Sequence, residues 1–191
     1  MLYNTFCMNK QNRVIAEVSI FSAIIVILQL IASFINFGSF PITLTLVPII
    51  VGSFVYGPLV GLMLGFVFGV IVIVGVITGI DPSGATMFSA RPIITIIVCL
   101  LKGALAGYLS GYAYKNLKIK NEKLKIIISS AICPITNTLV FSAFLLLFFD
   151  YELKILIGAF VSVNFVIELL INILLAPGLT NLVKHSISRY E

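Results

Sequence analysis

The sequence predicts an all-α integral membrane protein, a bundle of six helices with both termini cytoplasmic, and three observations carry that prediction. Of the 191 residues, 60% are hydrophobic and only 10% are charged, with a mean hydropathy of +1.19, whereas a soluble domain carries about 25% charge. Apolar runs of about 20 residues, the length that crosses a hydrocarbon core, recur along the whole chain, and the short alternating segments of a membrane barrel do not occur. Basic residues are concentrated: Lys10 and Arg13 precede the first run, Lys115, Lys118, Lys120, Lys123 and Lys125 share one polar loop, and Lys184 and Arg189 follow the last run. Cytoplasmic loops collect Lys and Arg, so the net charge of +5 is a topology signal. Its partner is the lipid bilayer and not a nucleic acid.

The elements follow in order. The first span, about residues 14–35, lacks a small-residue cleavage site and is too long for a signal-peptide apolar region, so it reads as a retained helix. A polar, glycine-containing link covers residues 36–41. The second span is short, about residues 43–55, and stops at Tyr56-Gly57-Pro58; the third runs over about residues 59–78. Residues 79–90 read as an outer loop with Asp81-Pro82-Ser83-Gly84 as its turn. Arg91-Pro92 opens the fourth span, which ends near Tyr114. After the lysine loop, the fifth span covers about residues 124–149, and Asp150, Tyr151, Glu152 and Lys154 form a tight outer turn. The sixth span ends near Val183. The Gly57 turn carries no positive charge, which leaves a re-entrant pair open for spans two and three. No linker or composition shift divides the chain, so residues 1–191 read as one domain.

Small residues recur at helical spacing. Gly57, Gly61, Gly65 and Gly69 form a stripe on span three, and Gly103, Gly107 and Gly111 form another on span four. Such stripes let helix backbones approach closely; packing inside the bundle is the expected use and oligomerisation the weaker one. Span one carries Ala16, Ser19 and Ala23, for which internal packing and a partner-docking face stand equal. Cys7, Cys99 and Cys133 are odd in number and unrelated in spacing, which speaks against a disulfide framework or a zinc site.

Polar residues at mid-membrane depth are the candidate functional groups. A charge at the bilayer centre costs about 2.5–3.5 kcal/mol on insertion scales and usually marks a site. Lys102 lies near the middle of span four and Glu168 near the middle of span six. Glu168 is flanked by Asn164 and Asn172 at i−4 and i+4, which puts all three on one helix face. Thr136 and Asn137 lie at mid-depth in span five, and Gln29 adds an amide in the outer half of span one. Phe88 and Arg91 continue a polar and aromatic path toward the outer surface. An ammonium at the end of such a path suits a carboxylate or carbonyl, and amides and hydroxyls suit their like. The alternative is that Lys102 and Glu168 pair with each other and the amides only join helices.

Catalysis is not indicated. The single histidine, His185, falls in the C-terminal tail, there is no pair of intramembrane aspartates, and no acidic cluster suggests a metal-dependent phosphotransferase. No G-x-x-x-x-G-K-[ST] occurs. The reading is therefore a non-enzyme without cofactor or metal, and uphill movement of a ligand would need energy from another subunit or an ion gradient. Two other classes compete: a ligand-free structural subunit of the cell envelope, and a stand-alone ion-coupled carrier, which at this length and without internal repeat would have to dimerise.

Several segments carry a family resemblance. Residues 42–52 (ITLTLVPIIVG), the turn Tyr56-Gly57-Pro58-Leu59-Val60-Gly61 and the stretch Gly65-Phe66-Val67-Phe68-Gly69 resemble the second and third helices of substrate-binding S components of energy-coupling factor vitamin transporters. Leu101-Lys102-Gly103-Ala104-Leu105-Ala106-Gly107 resembles the fourth-helix motif, with Lys where many members carry Arg. Cys133-Pro134-Ile135-Thr136-Asn137-Thr138 resembles the fifth, and Asn164 to Glu168 with Asn172 and Ala176-Pro177 the sixth. The resemblance implies a six-helix subunit in a bacterial plasma membrane that captures a water-soluble vitamin from outside. It implies docking on a transmembrane coupling subunit driven by two cytoplasmic ATPases, with transport by toppling of the S component. Ser19 and Ala23 match the Ala-xxx-Ala contact of the family's first helix, and the link after span one and the Asp81 loop would be gates. The fourth- and fifth-helix motifs are most similar to the pantothenate- and folate-type branch, with pantothenate favoured.

Overall fold

The computed structural model describes residues 10–34, 45–149, 158 and 163–188. Seven helices are described and no strand among them: α1 (Lys10–Phe34), α2 (Leu46–Tyr56), α3 (Pro58–Ile77), α4 (Pro82–Ala90), α5 (Pro92–Asn116), α6 (Glu122–Phe148) and α7 (Val163–Ser188). Five of them, α1, α3, α5, α6 and α7, are long and apolar enough to cross a membrane. The link at residues 36–41 and the turn at residues 150–154 lie outside the described residues.

Local chemistry sets the boundaries. Pro58, Pro82 and Pro92 each open a helix, at the one turn where a missing N–H costs nothing. Between α2 and α3, Gly57 has φ 101 and ψ 172, a region open to glycine almost alone, so the chain reverses there without a longer loop. Asn121 caps α6, its Oδ1 accepting from the backbone N–H groups of Lys123 and Leu124 at 3.1 and 3.3 Å.

The Asp81 segment departs from the sequence expectation of a loop. Asp81 accepts a hydrogen bond from the Gly84 backbone N–H at 3.0 Å and caps a nine-residue helix, α4, with Pro82 at its start. Asp-Pro signals both a turn and a helix N-terminus. Here the helix wins because Met87 can be buried and Phe88 can pack on the main core.

At the centre lies α2, about 16 Å long by its eleven residues and too short to cross a core of about 30 Å. Nine of its eleven residues are buried, so it is a core helix, in contact with α1, α3, α5, α6 and α7. The closest packing is between α3 and α5, where the two glycine stripes interlock. A Cβ on Gly61 would come 2.5 Å from the Gly107 carbonyl oxygen, and one on Gly69 would come 2.6 Å from that of Cys99; Gly65 and Gly103 face each other just as closely. These stripes serve packing inside the bundle. On α1 the outcome is the opposite: Ala16 is half-buried, but Ser19 and Ala23 are exposed on the outer face, beside Ile15, Ile20 and Ile27.

One end of the bundle is defined by polar contacts. Lys184 on α7 reaches the Glu122 carboxylate at 3.1 Å and the Tyr114 hydroxyl at 2.5 Å, and Tyr114 hydrogen-bonds Glu122. The Tyr114 ring stacks on Phe54 at 4.4 Å between centroids, and Tyr56 bonds Glu17 on α1. The start of α1, the end of α2, the end of α5, the start of α6 and the end of α7 therefore meet at this end, next to the five-lysine segment.

Candidate functional site

Three helices bring polar groups to a common depth. With 1.5 Å per residue, Lys102 lies about 21 Å from the end of α5 at Asn116, Asn137 about 22 Å from the start of α6, and Asn172 about 24 Å from the end of α7. Ser142 and Glu168 lie about 30 Å in on their own helices.

The surroundings of Lys102 are aromatic. Its ammonium lies 5.0 Å from the ring centroid of Phe141 on α6 and 5.8 Å from that of Phe68 on α3. Ring faces attract a cation, by about 0.5–2 kcal/mol, without neutralising it. Among the described residues Lys102 makes cation–π contacts and no ion pair, so the direct Lys102–Glu168 pair considered from the sequence is not formed.

The polar side chains on α6 and α7 are covered. Asn137, Ser142, Glu168 and Asn172 are all buried, Asn172 completely. Asn172 donates from Nδ2 to the Glu168 backbone carbonyl at 2.7 Å, but its Oδ1, the Oδ1 of Asn137 and the hydroxyl of Ser142 have no hydrogen-bond partner among the described residues. A buried polar atom left unserved costs about 1–3 kcal/mol, and such atoms in native structures call for a partner. The i, i+4 spacing on α7 continues through Ala176 and Thr180, both fully buried, so the polar stripe belongs to the helix's inward face.

The remaining sequence candidates divide. Thr136 is half-buried beside Asn137. Gln29 is buried, but its Oε1 accepts a hydrogen bond from Thr45 at 3.2 Å, at the α1–α2 contact. Phe88 is half-buried on α4, and Arg91, between α4 and α5, is exposed; both lie toward the end of the bundle opposite the lysines. Asn164 is in α7, but its side chain lies outside the described residues. The sequence reading did not single out Phe68, Phe141 or Ser142. The two rings come from different helices and carry no spacing signal, whereas Ser142 was detectable as a hydroxyl in an otherwise apolar run.

This arrangement can bind. An ammonium suits an anionic group, and the Asn137 and Asn172 amides at a similar depth suit hydrogen-bonding partners.

Comparison with known proteins gives two findings. The family model described as "ECF transporter, substrate-specific component" matches residues 13–181. The chain is also 30% identical over 180 residues to the pantothenic acid transporter PanT of Lactococcus lactis subsp. cremoris (strain MG1363), a match covering 86% of this chain and 90% of that protein.

Proposed function

The chain belongs to the family of ECF transporter substrate-specific components, and we propose that it captures pantothenate for ATP-driven import. The observation that carries the choice of ligand is Lys102, a mid-bundle ammonium held by Phe68 and Phe141 with no carboxylate partner among the described residues. A carboxylate ligand would supply the missing counter-charge, and pantothenate is a carboxylate with an amide and hydroxyls to match Asn137, Asn172, Thr136 and Ser142. The name of the similar Lactococcus protein points the same way. In this reading Glu168 and Asn164 complete the α7 side of the site. Gln29, Phe88 and Arg91 line the approach, with α4 as a gate.

The rest of the proposal concerns assembly. The chain acts as a single unit in a bacterial plasma membrane, with the short, buried α2 as the sixth helix of the bundle beside the five long ones and the lysine-rich end in the cytoplasm. The outward face of α1 around Ala16, Ser19 and Ala23 docks on a transmembrane coupling subunit, which two cytoplasmic ATPases drive.

The test is to purify the protein in mild detergent, denature it, and identify the released small molecules by mass spectrometry. Stoichiometric pantothenate is the expected result. A different vitamin would replace the substrate and keep the role. A protein still without ligand after incubation with a panel of vitamins would overturn the role itself.

A further inference from the structure

Most covered hydroxyls in this bundle have a partner. Ser22, Ser53, Thr95 and Ser130 donate to a carbonyl three or four residues earlier in the chain, the usual local solution for a hydroxyl in a helix. Ser110 donates across to the Ser129 carbonyl at 2.7 Å. The Ser129 and Thr180 hydroxyls do neither. Both side chains are completely buried, and both oxygens lack a hydrogen-bond partner among the described residues.

These two groups lie outside the proposed ligand site. The Lys184–Glu122 contact joins α6 and α7 near the lysine-rich end and serves as a common reference level. Counted from it, Thr180 is about 6 Å and Ser129 about 10 Å into the bundle, against about 18 Å for Asn172 and about 22 Å for Asn137. The same half of the two helices holds Pro134 and Pro177. Neither proline has the N–H that would serve the carbonyl four residues earlier, so the carbonyls of Ser130 and Ile173 lose their helical donors. Two hydroxyls and two backbone acceptors thus fall at heights between about 6 and 16 Å from the lysine-rich end, on two helices that pack against each other.

Lipid and apolar side chains can serve none of these groups. Water can: it both donates and accepts, and a buried water typically makes about three hydrogen bonds. We propose that the lysine-rich half of the α6–α7 region binds a file of buried water molecules. Ser129, Thr180 and the carbonyls of Ser130 and Ile173 hold it, and it runs from the Asn172 level toward Lys184 and Glu122. The file gives the mid-bundle polar groups a hydrated connection to the basic end, whichever ligand they take.

The full chain in lipid nanodiscs tests this. Thr180→Val keeps the side-chain shape and deletes the hydroxyl. If water is bound there, the melting temperature falls by about 2–4 °C. If the hydroxyl is dry, its removal relieves an unserved group, and an unchanged or raised melting temperature overturns the proposal. Thiol reactivity gives a second measurement, in a chain whose Cys7, Cys99 and Cys133 are replaced by Ala. Ser129→Cys should react with methyl methanethiosulfonate at least about tenfold faster than Val98→Cys or Leu64→Cys in the apolar core, because only the hydrated thiol ionises readily. Equal rates would overturn the proposal as well. Where the cysteine variants do not fold, the Thr180→Val result decides alone.

Discussion

Lys102 concentrates the residue-scale physics. A charge placed there costs the fold about 2.5–3.5 kcal/mol by insertion scales, and the two aromatic faces at 5.0 and 5.8 Å return only part of that. In the proposed site a bound carboxylate offsets this cost, so affinity and stability should separate on mutation. Lys102→Met keeps the length of the side chain and removes the charge. Pantothenate affinity measured by calorimetry should fall more than about tenfold, the loss of one charge-assisted bond of about 1.5–3 kcal/mol, while the melting temperature stays level or rises. An unchanged dissociation constant would remove Lys102 from the site. Gln29 behaves differently: its hydrogen bond to Thr45 gives it structural work at the α1–α2 contact, so Gln29→Leu should lower stability more than affinity in the same two measurements.

At the scale of elements, the α3–α5 pair is the most sensitive contact. Gly65 faces the Gly103 backbone, which cannot move aside as a flexible side chain could, whereas a Cβ on Gly75 meets nothing within 4 Å. Gly65→Ala should cost about 1–3 kcal/mol as overpacking, read as a lower melting temperature in detergent. Gly75→Ala should be neutral or slightly stabilising, since alanine is the better helix former by up to about 1 kcal/mol. Equal effects at the two positions would mean that the stripe is not a packing device. The same contrast explains α1. Its small residues Ser19 and Ala23 remain uncovered, because α1 packs on α2 and α3 through its other face, with Ile25, Gln29 and Ala32 buried.

At the scale of the whole molecule, the charge distribution and the end contacts agree. The five lysines of the α5–α6 segment lie at the end where Glu17, Tyr56, Tyr114, Glu122 and Lys184 join the termini of five helices. If that end is cytoplasmic, a cysteine replacing Lys118, which is exposed, should react with a membrane-impermeant maleimide in inside-out vesicles and not in intact cells. Labelling in intact cells would reverse the orientation. Helices α6 and α7 also hold proline in their interiors, which a bundle in lipid tolerates where neighbouring groups or water serve the freed carbonyls.

Hydropathy alone determined that this is a chain of membrane-crossing helices, because about twenty consecutive apolar residues have one stable use in a cell. The ordered motifs around Gly57, Lys102, Asn137 and Glu168 were enough to identify the family, since they report the residues that fix turns, close contacts and buried polar groups. The sequence also marked how far Lys102 and Asn137 lie along their helices, because that follows from residue count. Tertiary structure alone decided which faces meet. It turned the glycine stripes inward and the Ser19–Ala23 stripe outward, made a helix of the Asp81 segment, and put Phe68 and Phe141 rather than Glu168 against Lys102. The physical reason is that helix rotation is set by packing among several helices at once, and a polar stripe on one helix does not say which neighbour will cover it.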